Sequence, residues 1–236
     1  MKAVAFRRFE PREHKTWQTL FNRQSELRDQ QIVPMFARGL RALNINADGV
    51  PDLDAVNSKL RALTGWEGVP VEGLEEGESF YSMLAEKKFP VGNFIRDEKD
   101  LSYTPAPDVF HDLYGHLPFY TDRAYADFCE EFGKRTRKYL KDAKILREFE
   151  RFFWFTAEFG LIKTPQGKRI FGAGIASSHG ECAYALSEKP KVIPFTIEAV
   201  RQHEFRIDVF QEDLFLIENE QQLYSCLNDF EKAYTN

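Results

Sequence analysis

Apolar positions recur at helical spacing over residues 13–43, first through Trp17, Leu20, Phe21 and Leu27, then, after Pro34, through Phe36, Leu40 and Leu43. Two scaffold helices follow from that spacing, behind an N-terminal arm of about residues 1–12. A third helix is predicted where Asp52 offers an N-cap to Leu53, Val56, Leu60 and Leu63, with Thr64 and Gly65 as its stop. Residues 69–77 are rich in glycine and acid and lack periodicity, which predicts a loop whose backbone is open to a ligand; a short helix follows over about 79–88. Pro105 and Pro107 impose extended backbone, and Asp108 can cap a short helix that Leu117-Pro118 ends. The run 147–163, with Phe152, Phe153, Trp154, Phe155, Phe159 and Leu161, is apolar on almost every face and predicts a long buried helix. Glu158 lies inside it. Pro165-Gln166-Gly167 forms a turn between short strands, and Ser178 with Glu181 three residues on has a capping-box signature. Residues 206–217 alternate as two more short strands, and Asn219 can cap a last helix to about Tyr234. The expected class is mostly α with small β elements.

Composition narrows the possibilities. With 43% hydrophobic and 29% charged residues, 236 residues can bury one full core, so a single domain over 1–236 is expected. A net charge of −5 without long single-sign blocks argues against a nucleic-acid partner. Cys129, Cys182 and Cys226 are odd in number and form no CxxC pair, which points to free thiols in a reducing compartment, the cytoplasm. The N-terminus becomes charged too early for a signal peptide, and no window approaches eighteen apolar residues, so no membrane association is expected.

Chemistry concentrates in FHDLYGH, where His111 and His116 are five residues apart. On a regular α-helix five residues advance a side chain by roughly 140° beyond a full turn, so two ligands need a distorted helix end or wider winding. Gly115 and Pro118 permit either. The step differs from the HExxH of zinc proteases, and Asp112 is too short to copy the glutamate base of that motif. Glu158 can supply a third ligand, since a carboxylate within a Phe/Trp-rich helix is costly without a cation or hydrogen bonds. Two histidines and one carboxylate with open positions suit a non-haem Fe(II) that activates dioxygen; a His₂Glu zinc hydrolase competes, and so does a set of satisfied core polar groups. Spacing alone does not decide between them.

The ordered motifs do more. HKTW at 14–17, TGW at 64–66, VEGL at 71–74, FPVGNFIR, YTPAPDVFHDLYGHLP, WFTAEFGL, FGAGIASSHGE, LSEKPK and RIDVFQ run through nearly the whole chain. In them the sequence resembles the aromatic amino acid hydroxylases, specifically the short bacterial phenylalanine 4-hydroxylases. The resemblance implies a single catalytic domain without the regulatory domain or tetramerisation helix of animal relatives, and a monomer. It implies Fe(II) on His111, His116 and Glu158, a tetrahydropterin (tetrahydrobiopterin or a bacterial one) and dioxygen as co-substrate. Arg96, held by Asp108, would grip the substrate carboxylate, with Thr104 and Ser177 bonding the substrate's polar end or a ligand histidine. Trp154 and Phe159 would wall the aromatic pocket, and the Gly73-Leu74 backbone with Phe80 would form the pterin shelf. Three departures accompany it: Asp112 stands where relatives carry Glu facing the pterin, Glu75-Glu76-Gly77-Glu78 is more acidic than in animal relatives, and Gln211 runs into Glu212 instead of Pro. Trp154 matches members acting on phenylalanine or tyrosine, and Ile207 replaces the acid of tyrosine-specific members. Together these imply phenylalanine first, tryptophan slower and tyrosine poorest. A tryptophan hydroxylase of the same family, or a non-catalytic pterin or amino-acid sensor on the same fold, are the alternatives.

Overall fold

The computed structural model describes residues 4–73, 75, 77–99, 101, 106–207 and 209–234. Helix α1 (Pro11–Gln31) begins two residues inside the expected arm, because Pro11 occupies the first helical position and the Glu13 carboxylate accepts the Glu10 N–H at 2.7 Å. Helices α2 (Pro34–Leu43) and α3 (Leu53–Thr64) follow the predicted spacing; Asp52 accepts the Ala55 N–H, and Gly65 closes α3 at φ 82°. Part of the expected loop is a strand instead. β1 (Glu67–Val71) pairs in parallel with β2 (Lys88–Gly92), and α4 (Gly77–Ala85) crosses between them, so Lys88 opens a strand and does not end a helix.

Beyond Asp108 a helical turn passes into a π-helical turn, His111–His116, and then a 3₁₀ turn, Phe119–Thr121. The short helix thus ends at Leu117-Pro118, as expected, and after the 3₁₀ turn Asp122 turns extended to cap α5 (Arg123–Thr136). Helix α6 (Ala143–Phe153), capped by Asp142, starts earlier than predicted and winds into a second π turn, Trp154–Glu158. Gly160 then breaks the run, and Leu161–Thr164 is strand β3 where a helix was expected, hydrogen-bonded to β4 (Gly167–Ile170) across the predicted turn. Short helices α7 (Ala173–Ala176) and α8 (His179–Ala185) lead to β5 (Lys191–Pro194), α9 (Ile197–Gln202), β6 (Asp213–Ile217) and α10 (Glu220–Lys232). Of the two strands expected over 206–217, only the second is found among the described residues. The sheet order is β4-β3-β6-β5, with β6 parallel to both β3 and β5.

One aromatic core ties these elements together. Phe132 of α5 meets Phe149, Phe152 and Phe153 of α6 at 5.6–5.7 Å between centroids, and Trp17 of α1 meets Phe110 beside the first π turn at 5.0 Å. Each buried aromatic ring stabilises the fold by roughly 1.5–3 kcal/mol. The two π turns are thus clamped from outside, and α2 comes so close that a Cβ on Gly39 would stand 2.0 Å from the Pro118 carbonyl oxygen. All three cysteines are buried free thiols, as expected, and burial pushes each up to about 12. No helix among the described residues is long and apolar enough to cross a membrane.

Candidate active site

The first π turn resolves the five-residue step. Its hydrogen bonds close at i→i+5, Leu117 N–H donating to the Asp112 carbonyl at 3.1 Å, which stacks residues five apart on one face. His111 Nε2 and His116 Nε2 are accordingly 3.0 Å apart. The second π turn, closed by Phe159 N–H on the Trp154 carbonyl at 2.8 Å, delivers Glu158 to the same point, with Oε1 3.0 Å from His116 Nε2 and Oε2 3.9 Å from His111 Nε2. The backbone of Glu158 is pressed on Gly172, where a Cβ would meet its carbonyl oxygen at 2.2 Å.

Protonation follows from surroundings. Ser177 Oγ donates to the Gly174 carbonyl at 3.2 Å, so its 2.9 Å contact with His111 Nδ1 is one in which the ring N–H donates and Nε2 keeps its lone pair toward Glu158. Burial, then the neighbouring His116, lower His111 to about 4, the neutral form that ligates metals. Burial would raise the Glu158 carboxyl, but His116, His111 and the Gly174 N–H together hold it below the usual range. Three donors, all within 4.8 Å of one another, suit a cation. Two edges of 3.0 Å match adjacent positions of an octahedral ion with bonds of about 2.1 Å, and the remaining positions are left to solvent or substrate.

The triad lies at a cavity of about 650 Å³, within the span of small-molecule sites, roughly 300–1,000 Å³. Arg96 sits on its wall and is 9% exposed. Its Nε and Nη2 donate to Asp108 Oδ2 and Oδ1 at 2.8 and 2.9 Å, and its backbone N–H donates to Oδ2 at 2.9 Å. Burial alone would push Asp108 up, but the guanidinium and the N–H groups of Arg96 and His111 hold it low. Trp154 packs on Phe159 (4.5 Å) and Phe205 (4.4 Å), and its Nε1 donates to Gln211 Oε1 at 3.1 Å. Phe80 is half-buried, edge-on to Phe153 at 5.2 Å. Gly73, at φ 114°, has nothing within 4 Å of a Cβ position, an open backbone of the expected kind. Asp112 is buried with Oδ2 accepting the Gly92 N–H at 2.7 Å, and burial pushes its carboxyl well up.

The structure places Ile207 differently from a sealed wall. It lines the cavity mouth with 76% of its surface exposed, so it does not impose a burial cost on a phenol hydroxyl. Thr104 and Leu74 lie outside the described residues. Sequence spacing gives no hint of Phe205, Arg147 or Glu150, which also line the cavity. Glu181 does as well, and its capping-box signature is only half realised. Ser178 Oγ accepts the Glu181 N–H at 3.3 Å, but the Glu181 carboxylate does not reciprocate.

Comparison with known proteins agrees with this geometry. The family model "Biopterin-dependent aromatic amino acid hydroxylase" matches residues 2–235. The phenylalanine-4-hydroxylase of Caulobacter vibrioides is 41% identical over 94% of this chain and 76% of its own length. The crystal structure of Chromobacterium violaceum phenylalanine hydroxylase with bound Fe(III) superposes with a TM-score of 0.92 at 40% identity, covering 96% of this chain and 82% of that one. The structure of that enzyme with iron(III) and 7,8-dihydrobiopterin gives 0.90 at 39% identity, covering 97% and 84%.

Proposed function

The chain belongs to the family of biopterin-dependent aromatic amino acid hydroxylases, and from that premise we propose that it converts L-phenylalanine to L-tyrosine with Fe(II), a tetrahydropterin and dioxygen. The observation that carries this is the joining, in one cavity, of a two-imidazole and carboxylate triad with a buried, pre-aligned guanidinium and an aromatic wall. Iron and the reduced pterin supply the activation of dioxygen when bound.

This chain's own residues position and protect. His111, His116 and Glu158, on two turns fixed by the core, would hold the metal. Arg96 would take the amino acid's carboxylate, its fork already oriented by Asp108 so that little rotamer entropy is lost on binding. Ser177 keeps His111 in its ligating tautomer. Trp154 and Phe159 supply a dry surface for the ring and keep water from the reacting carbon. The open Gly73 backbone, the Phe80 ring and the Asp112 carboxyl fit a flat, hydrogen-bonding heterocycle such as a pterin.

The same reading puts the enzyme in the cytoplasm, supported by three free thiols, and as a monomer. Of the four exposed large hydrophobics among the described residues, Leu63, Ile207, Val209 and Phe210, the last three belong to the cavity mouth and leave no broad apolar face for a partner. Anaerobic loading with Fe(II), then product identification with phenylalanine, tryptophan and tyrosine, tests the proposal. Tyrosine formed from phenylalanine with one pterin oxidised per turnover supports it. Hydrolytic activity with zinc and no oxygen uptake with iron would favour a hydrolase.

A further inference from the structure

An amino acid enters a site as a zwitterion, so a cavity that grips its carboxylate must also give its ammonium group an anion, or strip it of water without return. Five described carboxylates line the cavity: Glu75, Asp112, Glu150, Glu158 and Glu181. Glu158 is engaged with the two histidines, Asp112 accepts the Gly92 N–H, and Glu150 is paired with Arg147 at 3.2 Å. Glu75 stands beside Gly73 and Gly77, on the shelf side of the cavity. Glu181 is left. It is 8% exposed, yet its Oε2 is buried without a hydrogen-bond partner among the described residues.

We infer that Glu181 is the seat of the substrate's ammonium group, the anionic counterpart of Arg96; this rests on the reading of the cavity as an amino-acid site. Placement agrees with it. A continuous polar chain runs from Arg96 to Asp108, from Asp108 Oδ1 to the His111 N–H at 3.0 Å, and from His111 Nδ1 to Ser177 Oγ at 2.9 Å. Ser177 closes α7 and Ser178 caps α8, on which Glu181 lies one turn further. Hydrogen bonds thus link Arg96, past the metal ligand His111, to Ser177, and Glu181 follows four residues later and lines the same cavity. The capping role that the sequence suggests for Glu181 does not account for its carboxylate, because the cap uses only its backbone N–H. Burial also leaves the carboxyl at about 7, with no cation offsetting it. An arriving ammonium supplies what is missing and fixes the ionised form.

Calorimetric titration of the anaerobic Fe(II)-loaded enzyme separates this from a structural role. Three ligands serve as probes: phenylalanine, 3-phenylpropionate, which lacks the ammonium, and phenethylamine, which lacks the carboxylate. Glu181→Gln is expected to weaken phenylalanine and phenethylamine by roughly ten- to hundredfold, the worth of a charge-assisted hydrogen bond, and to leave 3-phenylpropionate within about twofold. Arg96→Lys is expected to give the complementary pattern, weakening phenylalanine and 3-phenylpropionate. Equal weakening of all three ligands by Glu181→Gln, or unchanged phenylalanine binding, overturns the assignment of Glu181 alone. A wild-type enzyme that binds none of the three overturns the amino-acid reading along with it.

Discussion

His111 and His116 bring their Nε2 atoms to 3.0 Å across five residues because the turn between them is wound as a π-helix. A regular turn would satisfy the backbone equally well but would send the two rings apart. A metal bound only by the folded chain must then stabilise it. At a hundredfold excess over its dissociation constant Fe(II) is expected to add about 2.7 kcal/mol, or roughly 5–10 °C in melting temperature for a chain of this size. Anaerobic thermal melts with and without Fe(II) measure it; His111→Ala, His116→Ala and Glu158→Ala are each expected to abolish the shift and the iron content. A full shift in any of the three removes that residue from the ligand set.

Arg96 and Asp108 form a buried fork, and its two halves predict different failures. Arg96→Lys keeps the charge but loses the paired geometry, so KM for the amino acid is expected to rise roughly tenfold or more while iron content is unchanged. Asp108→Ala leaves a buried guanidinium alone, and about 3–5 kcal/mol of stability is expected to go. Steady-state kinetics with metal analysis check the first, and urea denaturation the second. Equal effects of both variants on iron content would point to a role in holding the metal instead.

Trp154 is stacked on Phe205 and anchored through Nε1 to Gln211, which fixes the width of the aromatic slot. Trp154→Phe widens it. Catalytic efficiency for tryptophan relative to phenylalanine is expected to rise by roughly tenfold, the scale set by small changes in an apolar pocket. Loss of the indole hydrogen bond is expected to lower stability by about 1 kcal/mol. Competition assays with both substrates decide it; no gain for tryptophan removes Trp154 as the selectivity wall.

Glu181 gives stability an unusual pH dependence. Its folded-state pKa, raised by burial to about 7 from an ordinary 4.5, makes the folded chain hold a proton that the unfolded chain has released. The contribution is thus fully present below about pH 4.5 and is lost as pH rises through about 7. Glu181→Gln removes that dependence, so the stability of the variant relative to wild type is expected to increase between pH 5 and 7.5, on the order of 3 kcal/mol in all. Denaturation curves at four or five pH values test it. A constant difference across that range would mean that the carboxyl titrates normally.

Much of this was legible before any coordinates. Helical spacing and caps locate α1, α2, α3 and α10, and a five-residue histidine step already requires wide winding. Buried carboxylates draw attention in sequence when they lie among aromatics, as Glu158 does. What escaped depends on non-local partners. Val69 and Val71 are strand because they pair with Pro90 and Gly92, 21 residues away, and the short parallel pair leaves no periodic signature. Leu161 belongs to β3 because β4 and β6 flank it, against an apolar run that equally suits a helix. Glu181 was hidden by a local explanation, since Ser-x-x-Glu accounts for the residue as a cap and conceals that, in a residue lining the cavity, Oε2 is buried without a partner among the described residues. Ile207 failed in the other direction. Its place in RIDVF implies a pocket wall, but residues 203–207 and 209–212 run irregularly and leave it exposed at the mouth.

Product analysis tests the central claim most directly. Enzyme loaded with Fe(II) without oxygen is mixed with a tetrahydropterin, phenylalanine and oxygenated buffer, and the amino acid and pterin products are quantified by chromatography, with parallel runs on tryptophan and tyrosine. The account predicts tyrosine, para-hydroxylated and equimolar with oxidised pterin, with phenylalanine the best substrate and Glu158→Ala inactive. No tyrosine from an enzyme shown to hold one iron, or tyrosine formed equally well without pterin, would contradict it.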